Sequence, residues 1–388
     1  MESTDSQRYT LCGPPEVEAR IEADQRRVVD EVTALLPGDR LDALVLAGGY
    51  GRGEGGYRYS LATAVPYNDY DYFVVLRDCT PAQLRSMRGD LRLLASRLSH
   101  EFELEVDIAV LERERLASLP SCLMYSELKW RHRVLAGDPG ALDAIGSPPP
   151  WDLPLAEFSR MMLNRGALLL MNAQAMERHA SVRAHGNERF LRYFSKGVLA
   201  AGDARLAAAG RYHPSVAERG RRLREIEWAG TGRDEFLGLY EHATSLKLGG
   251  VGTGNLRRTE PQALQRLAVH EWLEAYRVLE SARLRRPLRS WQAYSSPWLG
   301  KGQGHGRWWS AAHHVALSLA ASAGRRARPS PVRMLRHPRE RLMAALPLLL
   351  ESGSPTENRL AAEALGASAA APWTGLADCF LADWRRYC

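Results

Sequence analysis

Lysine is nearly missing from this chain: of its 52 basic residues only four, Lys129, Lys196, Lys247 and Lys301, are lysine, and the other 48 are arginine. With the many alanines, the skew points to GC-rich coding, so arginine runs need no functional explanation. Long apolar runs are missing too. No stretch approaches the roughly 18 to 20 uninterrupted apolar residues of a membrane span, and the opening MESTDSQRYT has neither a basic nor an apolar leader region. The expectation is a cytoplasmic protein without membrane contact. The five cysteines, Cys12, Cys79, Cys122, Cys379 and Cys388, stand far apart with no C-x-x-C and no histidine at zinc spacing. Disulfide framework and structural zinc are thereby excluded, and the thiols read as reduced packing residues. A net charge of +7 is small for 388 residues and suits an anionic ligand as well as a nucleic acid backbone.

What is present is a folding composition, 45% hydrophobic and 25% charged, at a length that suits two domains or three small ones. Residues 1–15 read as a loose terminus ending in Gly13-Pro14-Pro15. Val17, Ile21, Val28, Val32 and Leu35 then fall at helical spacing. Leu41–Ala47 and Tyr70–Leu76 read as buried strands, residues 81–99 as a helix, and Phe102–Leu111 as a third, alternating strand. Beyond Pro148-Pro149-Pro150 the pattern is helical throughout, in segments near 155–178, 187–210, 214–228, 234–248, 261–284, 308–323 and 337–351 and from 357 onward. Glycine-rich joints at 249–254 and 299–306 separate some of them. The fold class expected is α+β: a small mixed sheet with helices, followed by a large all-α region.

Chemistry concentrates in LVLAGGYGRGEGG (Leu44–Gly56) and NDYDYFVVL (Asn68–Leu76). Gly48 and Gly49 end a strand and let backbone N–H groups approach an anion closely, with Arg52 as a charged fork for the same anion. Asp69 and Asp71 stand two apart, so a strand sends both carboxylates to one face. Such a pair of hard oxygen ligands suits Mg²⁺ or Mn²⁺. In FELEVDIAVL, Glu103, Glu105 and Asp107 share a face, and Asp107, flanked by apolar residues, would be costly to bury without a metal or a proton.

Gly48-Gly49-Tyr50-Gly51-Arg52-Gly53-Glu54 followed by Asp69-x-Asp71 resembles the active-site motif of the DNA polymerase beta-type nucleotidyltransferase superfamily. The GGYGRGE wording is most similar to the uridylyltransferases of the nitrogen regulatory protein. Asp107 matches the superfamily's third aspartate. The resemblance is specific over 41–111, and two departures mark it: the spacing from Gly49 to Asp69 is long, so Gly55–Pro66 is expected as an inserted loop, and the accompanying phosphohydrolase and regulatory domains are lacking. It implies a nucleotidyltransferase core over 16–150 followed by a first helical domain over 151–254; beyond that the resemblance ends, and the glycine-rich joint at 249–254 marks off a second helical subdomain over 255–388. The resemblance also implies an enzyme that binds ATP or another NTP and, by a two-metal mechanism, moves a nucleoside monophosphate to a hydroxyl with release of pyrophosphate. Asp69, Asp71 and Asp107 would be catalytic and metal-ligating. Gly48, Gly49 and Arg52 would bind the nucleotide. Lys196 and Lys247, in helices following the core, would reach the β- and γ-phosphates. A small molecule or a protein is the favoured acceptor, since the basic residues lack the aromatic interleaving of RNA binders. A template-independent RNA nucleotidyltransferase is the alternative, and an inactive nucleotide-binding scaffold the other.

Other features read as structural. Gly302-x-Gly304-x-Gly306 follows no strand and lacks the phosphate-loop pattern. His305, His313 and His314 have no acidic or cysteine partner at ligand spacing, and Gly324–Arg341, dense in Arg and Pro, reads as a solvated loop.

Overall fold

The computed structural model describes residues 8–60, 63–179, 181–182, 187–228, 232–249, 260–302, 308–321, 329–351 and 354–388. Their packing divides into two units. The first comprises Met1–Leu153, Tyr212–Arg221 and Thr244–Thr253, and the second Pro154–Arg211, Arg222–Ala243 and Gly254–Cys388. The expected boundary at 254 falls in 250–259, outside the described residues.

In the first unit, α1 (Pro15–Leu35) leads to β1 (Leu41–Leu46) and a single helical turn, α2 (Gly48–Gly51). Then come β2 (Tyr57–Ser60), β3 (Thr63–Pro66), β4 (Tyr70–Leu76), α3 (Pro81–Phe102), β5 (Val106–Glu112), α4 (Leu123–Trp130) and β6 (Arg133–Gly137). The sheet order is β5-β4-β1-β6; β4 and β5 run parallel, while β1 is antiparallel to both β4 and β6. A parallel neighbour needs a crossover, and α3 supplies it. Alternation along β1 and β4 divides the core. Leu44, Leu46, Tyr70, Tyr72, Val74 and Leu76 pack on Val17, Ile21, Val28, Leu84, Leu91 and Leu98 of α1 and α3. Ala43, Val45, Phe73 and Val75 face Leu116, Leu128, Leu142 and Ile145 on the other side. The buried tyrosine hydroxyls find partners in α1: Tyr70 donates to Asp24 Oδ2 at 2.9 Å and Tyr72 to Gln25 Oε1 at 2.8 Å.

Four sequence expectations change here. Residues 8–13 are not loose: Tyr9 and Thr10 are buried, and Gly55 N–H donates to Tyr9 O at 2.8 Å. The Gly55–Pro66 insertion is not a loop but ends in the β2–β3 hairpin, with Tyr57 registered to Pro66. The third strand begins at Val106, because α3, started by a Thr80–Gln83 capping box, runs on to Phe102 and is stopped by Glu103 at φ 54°. Finally, β6 fills the sheet edge beside β1 within a segment that showed no strand pattern, since its five residues show no alternation of burial.

The regular secondary structure described in the second unit is all helical. Long helices Leu155–Arg178, Glu188–Ala208 and Pro261–Arg283 pack closely because glycines sit at their contacts. A Cβ at Gly166 would lie 2.5 Å from the Trp272 ring, and one at Gly197 2.7 Å from Leu169. Helix Pro338–Glu351 is buried all round despite Pro347 in its interior. Two further helices, Pro355–Leu365 and Trp373–Tyr387, end the chain where one alanine-rich piece was expected. The Arg/Pro-rich segment is not a solvated loop in its described part: Arg333 and Arg341 are only 3% and 2% exposed. His314 is buried, and His305 lies outside the described residues, as do Gly304 and Gly306. No cysteine forms a disulfide, and among the described residues no helix is long and apolar enough to cross a membrane.

Candidate functional site

The glycine turn is built by backbone geometry. Gly48 holds φ +63°, and a Cβ there would fall 2.2 Å from Asp71 Oδ2. Glycine is therefore required on two counts, a left-handed backbone and a carboxylate occupying the side-chain position. The first bond of the turn runs from Gly51 N–H to Ala47 O at 2.9 Å, so the N–H groups of Gly48, Gly49 and Tyr50 precede the intrahelical ladder. Tyr50 anchors the turn from below: its hydroxyl donates to Gly56 O at 2.6 Å and accepts from Tyr67 N–H at 3.0 Å and Asn68 N–H at 3.2 Å. The start of the aspartate segment is thus tied to the turn.

Register brings two aspartates together. Asp71 on β4 is the direct partner of Asp107 on β5, and neighbouring strands stand about 4.8 Å apart. Asp69 precedes the strand, just ahead of Tyr70, whose N–H donates to Glu105 O at 2.8 Å. Asp69 and Asp71 are half-buried, whereas Asp107 is exposed, because β5 is the sheet edge. The expected burial penalty at Asp107 therefore does not arise. Glu103 caps α3 and does not share the strand face, and Glu105 is exposed ahead of the strand. Among the described residues no group of three or more His, Cys, Asp or Glu side chains gathers as a metal site. The three aspartates are placed by their backbone but not assembled around a common centre. Their carboxylates are the hard oxygen donors that a small divalent cation would take.

The Arg52 side chain is only 10% exposed and is turned to Glu127 at 3.4 Å and Glu54 at 3.9 Å, so it sits in an internal ion-pair network. Glu54 is the centre of that network. Its carboxylate accepts from Ser215 Oγ at 2.5 Å, Val216 N–H at 2.9 Å and Ala217 N–H at 3.3 Å, capping the helix Val216–Leu223. Burial pushes the Glu54 carboxyl up, but these hydrogen bonds together with Arg52 and Arg219 outweigh it and hold the group below the ordinary range. Tyr212 completes the network, donating to Glu127 Oε1 at 2.5 Å. Sequence reasoning missed Glu127, Tyr212 and Ser215. Only the GRGE wording hinted that Glu54 had a job.

The two lysines part company. Lys247 ends the helix Arg233–Leu248 and its last turn belongs to the first unit. A Cβ at Gly56 would lie 2.3 Å from Lys247 O and 2.4 Å from Asn68 Oδ1, so the Lys247 backbone passes beside the residue that precedes Asp69. Gly249, at φ +81°, presses on Tyr57 O in the same way. Lys196 lies half-buried on helix Glu188–Ala208 of the second unit.

A cavity of about 620 Å³ opens elsewhere in the first unit, lined by Arg8, Tyr9, Pro15, Glu18, Ala19, Glu22 and Arg133. It includes none of the aspartates. Its charges are mutually engaged: Tyr9 donates to Glu22 Oε2 at 2.7 Å while the Arg133 guanidinium covers the Tyr9 ring at 3.9 Å. No family model matches the sequence, and no curated protein matches it.

Proposed function

We propose that the protein is a metal-dependent nucleotidyltransferase that moves a nucleoside monophosphate from an NTP to a hydroxyl of a small molecule or protein, releasing pyrophosphate. The observation that carries this reading is the register of Asp71 against Asp107 beside a glycine turn whose Cβ space the Asp71 carboxylate occupies. In this reading the Gly48, Gly49 and Tyr50 N–H groups receive triphosphate oxygens at close range. Lys247, whose backbone borders the aspartate segment, offers a point charge to the same phosphates. Asp107, exposed at the sheet edge, stands where an acceptor can arrive. Mg²⁺ or Mn²⁺, when held by these carboxylates, would lower the acceptor's pKa and offset triphosphate charge. The acceptor oxygen bonds to the α-phosphorus as the bond to the leaving pyrophosphate breaks.

The test is incubation with each labelled NTP, Mg²⁺ and a lysate of the source cell, following pyrophosphate release and the labelled product. Asp69→Asn and Asp71→Asn should abolish release with melting temperature kept. Retention of more than about a hundredth of the wild-type rate by either, a small loss for a metal ligand, would refute the assignment. Asp107→Ala should lower kcat with nucleotide affinity nearly unchanged. A scaffold would bind nucleotide and release no pyrophosphate.

A further inference from the structure

Trp130 and Trp151 are 46% and 39% exposed, an unusual state for two indoles that touch each other, with ring centroids 5.4 Å apart. The Trp151 ring is in turn parallel to that of His213, with 5° between planes and 6.4 Å between centroids. The two indoles meet at 55° between their planes, so three rings from three separate segments form a cluster in which the indoles are exposed and His213 is half-buried, and clustered exposed aromatic surface is a mark of binding. Its backing is fixed. Ser126 Oγ donates to Pro148 O at 2.5 Å, Lys129 Nζ to Ile145 O at 2.6 Å, and Leu128 is buried in the core. The rings are therefore held in place before any ligand arrives, which lowers the cost of binding.

The same segments grip the glycine turn. Glu127, three residues before Trp130, takes Arg52 from the turn, and Tyr212, next to His213, holds Glu127 from the other side. His132, two residues after Trp130, has its Cα 3.7 Å from the Cβ position of Gly51. The aromatic surface and the turn are thus parts of one braced assembly.

We propose that Trp130, Trp151 and His213 form the stacking seat for the base of the nucleoside triphosphate, an inference that rests on the nucleotidyltransferase reading. A delocalised planar ring is the occupant that exposed aromatic faces select, and the Glu127–Arg52 pair and the approach of His132 to Gly51 tie those faces to the turn that would receive the triphosphate attached to that ring. Stacking accepts every base, since each has a π face, so this seat supplies affinity and leaves base choice to other contacts.

Calorimetric titration of the full chain in Mg²⁺ with each of the four NTPs and with inorganic tripolyphosphate tests it. Wild type should bind an NTP more tightly than tripolyphosphate. Trp130→Ala and Trp151→Ala should each weaken that NTP by about ten-fold, within the range of base stacking on an aromatic, and leave tripolyphosphate unchanged. Trp130→Leu and Trp151→Leu keep apolar bulk, hold the fold if truncation to alanine does not, and should show the same loss, whereas Trp130→Phe should recover most of the affinity. Unchanged NTP affinity in the folded leucine variants overturns the seat and leaves the enzyme reading standing. Equal wild-type affinity for NTP and tripolyphosphate also overturns it, and no binding of any NTP removes both.

Discussion

An alanine at position 48 would have to hold φ at +63° and place its Cβ 2.2 Å from Asp71 Oδ2. The backbone alone costs about 1–2 kcal/mol, and the carboxylate must swing away from its seat. Gly48→Ala should therefore lower both the melting temperature and pyrophosphate release. Because part of the cost is contact with one side chain, it should shrink in an Asp71→Gly background. Thermal melts of the two single variants and the double variant check this, and strict additivity would show that the carboxylate plays no part. Gly48 was legible because it obeys a local rule, glycine where the backbone turns left. The Glu127 partner of Arg52 was not legible, because it lies 75 positions away and no local pattern announces such a pairing. Exposure of Asp107 was equally hidden, since edge position is a property of strand order and not of the strand.

At the scale of elements, the helix Val216–Leu223 begins on a carboxylate supplied from far earlier in the chain. The Glu54 carboxyl is held below its ordinary 4.5, so the unfolded chain binds the proton first as pH falls. Its stabilisation is complete above about pH 4.5 and is lost as pH drops through the lower, folded value. Glu54→Gln should cost about 1–3 kcal/mol at neutral pH, with a smaller deficit near pH 4, as urea melts at the two conditions would show; an equal deficit at both would mean that charge is not what the helix end requires. The long helices were readable from periodicity, and α1 and the helix Leu155–Arg178 match their expected spans within a residue or so. The β2–β3 hairpin and β6 were not, because these four- and five-residue strands do not alternate in burial and so do not stand out from turns.

At the scale of the whole molecule, the near absence of lysine gives the remaining ones weight, and Lys301 is the most buried of them. It is 2% exposed, its Nζ donating to Leu299 O at 3.1 Å and lying 4.7 Å from the Tyr294 ring. Burial pushes its pKa down to about 7, with Glu340 opposing the shift and Arg333 and Arg336 adding to it. Between about 7 and 10.5 the unfolded chain carries a proton that the folded chain does not. Stability should therefore rise with pH across that window, while below about 7 both states are charged and the full penalty of a buried ammonium is felt. Lys301→Met should raise the melting temperature more near pH 6 than near pH 9. A uniform shift at both pH values would show that the ammonium is solvated in the native state.

The first unit is assembled from three stretches of chain, and the last two come from inside the helical region. Synthesis from residue 153 to residue 253, at about 5–20 residues per second, takes roughly 5 to 20 seconds. During that interval the nascent sheet holds Glu54 without Ser215 or the helix it caps, and the Gly56 side of the aspartate segment lacks Lys247 and Gly249. The contacts of this unit are accordingly complete only once residues far downstream have been delivered. A fragment ending at residue 153 should remain susceptible to protease where the full chain resists, and pulse proteolysis of ribosome-arrested chains of increasing length should place the onset of resistance after residue 249 has emerged.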